Sequence, residues 1–145
     1  MNSSQPFESR SVVTAFLRHQ GKLLLVRRSH RVGTYRGRWS AISGYLEQSP
    51  YRQALQEIAE ETGLTEDDVE LAAQGPSLHV PDPALGVCWI IYPFLFEVRN
   101  PANIRLDWEN VESRWVAPTE LDDYATVPAL KETLARCLAP GSNDQ

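Results

Sequence analysis

What the sequence has little of narrows its class first. Only two cysteines, Cys88 and Cys137, occur in 145 residues. They lie far apart in apolar surroundings and read as small buried side chains, neither a disulfide framework nor a thiolate metal pair. No apolar run reaches transmembrane length, and no charged-then-apolar segment opens the chain as a secretory signal would, so a membrane partner is not expected and a cytoplasmic location is. Basic residues are in deficit: 14 against 19 acidic ones give a net charge of −5, the wrong sign for a surface that grips a nucleic-acid duplex. Internal repeats and linker-like stretches are also missing. A single domain over residues 9–139 is expected, with residues 1–8 and 140–145 read as flexible ends. A hydrophobic content of 42% is enough to build a real core at this length.

What is present is mostly strand-like. Residues 10–18 and 22–27 are β-branched and apolar on either side of His19-Gln20-Gly21, which predicts a hairpin. Residues 39–43, 67–73, 77–81, 87–98 and 113–116 read as further strands; 87–98 is the longest apolar, β-rich run and is expected to be central. Residues 127–138 carry leucines at 130, 134 and 138, the pattern of an amphipathic helix, and Pro118-Thr119-Glu120-Leu121 opens a short helical turn. Strands and helices in this order imply an α/β sandwich, a mixed sheet covered on both faces by helices.

The most informative stretch is 44–64. Ser49-Pro50 is a helix start, a hydroxyl cap followed by proline where its missing N–H costs nothing. Gly63 is a helix stop. Between them Tyr51, Ala54, Leu55, Ile58 and Thr62 form an apolar stripe, and Glu57, Glu60 and Glu61 crowd on another face, where like charges repel. No lysine follows to relieve them; a divalent cation would.

Gly44 and Glu57-Ile58-Ala59-Glu60-Glu61-Thr62-Gly63-Leu64 resemble the Nudix box: a Gly, five residues, a Glu, seven residues, then Arg-Glu-apolar-X-Glu-Glu-X-Gly-apolar. Two departures are specific. The segment after Gly44 is two residues shorter, leaving the loop glutamate without a counterpart, and Gln56 stands where the arginine belongs. In the family those two groups are held to brace the loop; their joint loss reads as a rebuilt loop, since all three helix glutamates remain. The resemblance implies an α/β/α sandwich and metal-dependent hydrolysis of a diphosphate linkage in a nucleoside diphosphate derivative or a nucleoside triphosphate. It implies Mg²⁺ or Mn²⁺ on Glu57, Glu60 and Glu61, with a backbone carbonyl near Ser43 or Gly44. The alternative is a domain that binds a nucleotide as a sensor, without hydrolysis. A homodimer is left open. The isopentenyl diphosphate isomerase branch is set aside, because Cys88 lacks the context of a catalytic cysteine.

Other candidates lie outside the box. Glu109, six residues before Trp115, matches an acidic residue that serves the metal site in some relatives; the competing reading is a solvated acidic loop made of Asp107, Glu109 and Glu112. Either Glu109 or a helix glutamate would be the general base. Arg27, Arg28, Arg31, Arg36 and Arg38 gather just before the box, and the planar guanidinium suits phosphate. Arg28 is the leading candidate for the substrate, with Arg27 and Arg36 beside it. Tyr35 could stack on a base; Trp39 is read as core, and His30 and His79 as surface.

Overall fold

The computed structural model describes residues 7–139; the ends at 1–6 and 140–145 lie outside the described residues. Strand β1 (Glu8–His19) turns through Gln20 and Gly21, both at positive φ, into β2 (Lys22–Arg28). A two-residue turn of this hand matches the twist of the strands it joins. Glu8 falls inside the stretch read as loose, yet it opens β1, because it pairs with Val87 and donates its N–H to the Gly86 carbonyl. There follow β3 (Trp39–Ser40), β4 (Ile42–Tyr45), α1 (Pro50–Thr62), β5 (Val69–Gln74), β6 (Leu78–Asp82), β7 (Val87–Val98), β8 (Asn110–Val116) and α2 (Leu130–Leu138).

Strand β1 runs parallel to β7 and antiparallel to β2 and β4, so the sheet is mixed. Its backbone order is β3-β2-β1-β7-β5, with β4 on β1, β6 on β7 and β8 on β2. Alternation along the strands sorts the core into two layers. Val13, Ala15, Leu17, Phe94 and Phe96 pack with Ala54 and Ile58 of α1. Phe16, Leu23, Leu25 and Leu95 pack with Leu130, Leu134 and Cys137 of α2. The result is the expected α/β/α sandwich. A third apolar cluster, built on Trp89 and Ile91 with Val12 and Tyr35 against it, contains no residue of α2 and lies where that short helix gives no cover.

The box helix has the expected bounds. Pro50 opens it, and Gly63, at φ 77, closes it by donating its N–H to the Ala59 carbonyl. The Ser49 hydroxyl makes no cap bond; the Ser49 carbonyl instead accepts from the Gln53 N–H at 2.9 Å. The last helix is shorter than its periodicity predicts. Residue Thr126 bridges to Trp39, and Val127 donates its N–H to the Trp39 carbonyl, so the chain is still extending the sheet there. Pro128 biases the residue before it away from the helical region, and Ala129 takes a left-handed turn before Leu130. Leu130 and Leu134 are buried as expected, whereas Leu138 at the frayed end is exposed. Neither cysteine forms a disulfide among the described residues, and burial pushes the Cys137 thiol up to about 11. Among the described residues no helix is long and apolar enough to cross a membrane.

Candidate active site

Helix α1 divides its polar residues between two rows one residue apart. Gln53, Glu57 and Glu61, at successive four-residue steps, adjoin the apolar stripe and are buried; Glu57 is 8% and Glu61 3% exposed. Gln56 and Glu60, on the neighbouring row, are exposed, and the Gln56 amide donates to Glu60 Oε2 at 2.8 Å. The three glutamates expected on one face are thus split, with Glu60 facing solvent.

The third carboxylate of the group comes from the residue just before β8. Glu109 brings an oxygen within 4.8 Å of oxygens from Glu57 and Glu61. It is held there by a slip in the β2–β8 pairing, where Arg27 faces Glu112 but Arg28 faces Asn110. Such a bulge re-aims the side chains that follow it. The Ser29 N–H then donates to the Glu109 carbonyl at 2.8 Å, and the Glu109 N–H donates to Asp107 Oδ1 at 3.0 Å. Asn110, next along, donates its amide to Glu61 Oε1 at 3.0 Å. The other Glu61 oxygen, Oε2, is buried with no hydrogen-bond partner among the described residues.

The electrostatics follow from this crowding. Burial, reinforced by the charge of Glu109, pushes the Glu61 carboxyl up to about 9 against the opposing bond from Asn110. Burial, then Asp107 and Glu57, pushes Glu109 up to about 7. Burial also raises Glu57. The nearby cation is Arg28, whose guanidinium is itself disfavoured by burial and favoured by Glu61 and Glu109. Two buried carboxylates and a half-buried one, with one oxygen orphaned, carry a desolvation cost that a hard divalent cation with oxygen ligands relieves. The donor set fits such an ion.

Gly44 leaves room for the Glu57 carboxylate. A Cβ at that position would stand 2.1 Å from the Glu57 carboxyl carbon, so the carboxylate occupies the space a side chain would take. Gly44→Ala is expected to displace Glu57 and to weaken Mn²⁺ binding by about tenfold or more, as outer changes that reorient a metal ligand do. Titration followed by electron paramagnetic resonance of free Mn²⁺ checks this, and an unchanged affinity would sink the steric assignment.

A cavity of about 280 Å³ opens beside the carboxylates. Glu109, Gly44 and Arg28 line it, and so do Tyr35, Tyr45 and Trp89. The Trp89 ring centroid lies 6.3 Å from that of Tyr35 and 6.2 Å from that of Tyr45. The Trp89 indole donates to the Tyr35 oxygen at 2.9 Å, and the Tyr35 hydroxyl donates to Asp82, which ties the left-handed Tyr35 to β6. Trp108, 53% exposed, also lines the cavity, with the Arg31 guanidinium 5.5 Å from its ring centroid.

Of the arginines before the box, the structure brings Arg28 and Arg31 to this cavity. Arg28 is fixed by Thr34, its Nε donating to the carbonyl at 2.9 Å and its Nη2 to Oγ1 at 3.2 Å. Arg27, Arg36 and Arg38 do not line it. Arg27 donates to the Gly37 carbonyl and pairs with Glu112, Arg36 donates to the Val32 carbonyl, and Arg38 to the Thr126 carbonyl. Glu112 is further engaged by Arg114, which leaves it a surface ion-pair partner. Trp39 packs edge-on against Tyr124 at the α2 core, and His30 and His79 are exposed. Sequence reasoning passed over Gln53, Asn110, Tyr45, Trp89 and Trp108. The one available signal was for Gln53, four residues before Glu57 and therefore on its row.

Comparison with known proteins agrees with the geometry. The NUDIX domain family model matches residues 8–137. Among solved structures, a MutT protein from Methanosarcina mazei Go1 is 25% identical with a TM-score of 0.74, covering 92% of this chain and 95% of its own. A NUDIX hydrolase from Nitrosomonas europaea is 21% identical, TM-score 0.74, with coverages of 94% and 92%; a C. elegans Ap4A hydrolase, solved as a binary complex, is 15% identical, TM-score 0.72, with coverages of 88% and 93%. At those two identities the likeness speaks for the fold alone. No curated protein matches the chain. With the family model covering both core layers, the box helix and the strand behind Glu109, the chain belongs to the Nudix family.

Proposed function

We propose that this chain hydrolyses a diphosphate linkage, in a nucleoside diphosphate derivative or a nucleoside triphosphate, with Mg²⁺ or Mn²⁺ held by Glu57, Glu61 and Glu109. The observation that carries the reading is the buried carboxylate group with its orphaned Glu61 oxygen, opening onto an aromatic cavity that also holds Arg28. Gly44 contributes room beside Glu57, and Glu60 acts from the outer row, tuning the charge of the group. A bound divalent ion supplies charge neutralisation at the diphosphate and acidifies water.

The chain's own groups divide the rest. Glu109 takes the proton from the attacking water; it is the least buried carboxylate of the three and lies at about 7, where a base near neutrality is most effective. Water oxygen bonds to phosphorus as the bridging P–O bond breaks, and a phosphate or nucleotide leaves with the electron pair. Arg28, half-buried and oriented by Thr34, binds phosphate oxygens. Tyr35, Tyr45 and Trp89 offer flat faces to the group on the far side of the linkage.

A phosphate-release screen over nucleoside triphosphates, nucleotide sugars, ADP-ribose and dinucleoside polyphosphates, with each metal and with excess chelator, tests the reading. Turnover that survives chelation rules out the metal role. The second reading, a nucleotide sensor, rests on Gln56 and the shortened loop; thermal stabilisation by a diphosphate ligand without hydrolysis in either metal would select it. Arg28→Ala is expected to raise KM roughly 10- to 100-fold and to change kcat little, the loss of one charged hydrogen bond common to ground and transition states. A kcat loss larger than the KM change would move Arg28 from binding to catalysis.

A further inference from the structure

We infer that Gln53 is the positioning residue for the site, coupling the shortened loop to the Glu57 carboxylate; the inference rests on the metal reading above. Gln53 is 1% exposed, so both ends of its amide need partners inside the protein. Both have one. Oε1 accepts the Glu47 N–H at 2.9 Å, and Nε2 donates to Glu57 Oε2 at 2.8 Å.

An acceptor and a donor on the same terminal carbon are what this position requires. A carboxylate in its place would accept from the loop but repel Glu57. An ammonium or guanidinium would donate to Glu57 and leave the Glu47 N–H unmet. Methionine would fill the volume and do neither. The loop therefore touches Glu57 at two points, through the missing side chain of Gly44 and, three residues on, through Gln53. Loop position and carboxylate orientation are set together.

The loop carries a second amide link, but at the surface. Gln48 donates to Gln56, and Gln56 donates to Glu60, with all three exposed. Water competes for bonds there, while the Gln53 link is shielded from it. This chain lacks both the arginine and the loop glutamate that its box would otherwise contain. The buried link at Gln53, rather than the outer one at Gln56, takes over the bracing.

Mn²⁺ titration by electron paramagnetic resonance, on wild type, Gln53→Met and Gln56→Met, tests the assignment alongside melting temperature. Gln53→Met is expected to bind Mn²⁺ about 10- to 100-fold more weakly with its melting temperature within a few degrees of wild type, the usual size of an outer-ligand effect. Gln56→Met should stay within about threefold, as an exposed bond would. In the wild type, the assigned Gln53 side-chain amide resonances should shift as Mg²⁺ is added; this needs no variant and decides the matter alone if Gln53→Met does not fold. Equal Mn²⁺ affinity in folded Gln53→Met, or an amide signal that ignores Mg²⁺ while the wild type binds it, overturns the inference and leaves the metal reading standing. A wild type that binds neither ion overturns both.

Discussion

Glu61→Gln is expected to lower diphosphate hydrolysis on the order of 10³-fold, about 4 kcal/mol of transition-state stabilisation, in a protein that remains folded. The fold survives because the glutamine oxygen can keep the bond from the Asn110 amide now made to Glu61 Oε1, while its nitrogen replaces an orphaned oxygen with a donor facing two carboxylates. Metal binding suffers for the same reason, since a neutral amide is a poor substitute for the most buried charge in the group. Glu60→Gln should cost far less, because Glu60 is exposed and hydrogen-bonded to Gln56 rather than to the buried row. Equal losses from the two changes would return the three glutamates to one shared face.

The same substitution has a signature in stability. Glu61 in the folded, metal-free protein is raised from 4.5 to about 9, so the folded state holds a proton that the unfolded chain has released. A raised carboxyl contributes stability in full below about 4.5 and loses it as pH climbs to about 9. Metal-free wild type should therefore melt at progressively lower temperature across that window, and Glu61→Gln should flatten the decline. Melting curves at pH 5 and pH 8.5, with chelator, make the comparison. Added Mg²⁺ should stabilise the wild type most at the alkaline end, where the carboxylates are ready to take it.

The box helix and the central strand were legible because their signals are local. Pro50 and Gly63 bound α1, and the apolar run at 87–98 is broken only by Pro93 and Glu97, so both elements have the expected limits. Glu57 and Glu61 were legible from their spacing, but their separation from Glu60 was not. A helical wheel sets all three within reach of one another, and only packing decides which flank turns inward; here Ala54, Ile58 and Thr62 bury the Glu57–Glu61 flank. The extension of α2 to residue 127 failed because a long-range bond, Val127 N–H to the Trp39 carbonyl, competes with local periodicity. The aromatic cavity was invisible for a related reason. Trp89 alternates correctly along a strand and reads as core, and nothing local reveals that α2 stops short of covering it. Glu109 was available through family likeness alone, since its approach to α1 depends on a bulge between β2 and β8 that leaves no mark in composition.

Glu109→Gln is expected to reduce kcat by about 10²- to 10⁴-fold with little change in KM, the range for removing a positioned general base. Its position is shared between two parts of the site: its oxygen reaches Glu57 and Glu61, and its residue lines the cavity where substrate would lie. That placement would let it meet the water as well as the metal. The pH profile separates this role from a structural one. With Glu109 at about 7 in the metal-free protein, and lower beside a cation, wild-type kcat should fall on the acid side as the carboxylate takes up a proton and can no longer accept one from water. In Glu109→Gln that acid limb should vanish, leaving a low, flatter rate, while Mn²⁺ binding weakens less than in Glu61→Gln because the carboxylate lost is the half-buried one and the buried pair, Glu57 and Glu61, remains. If the limb persists at the same pH in the variant, the proton goes to one of the helix glutamates, and Glu109 is left as a metal-site carboxylate with no part in proton transfer.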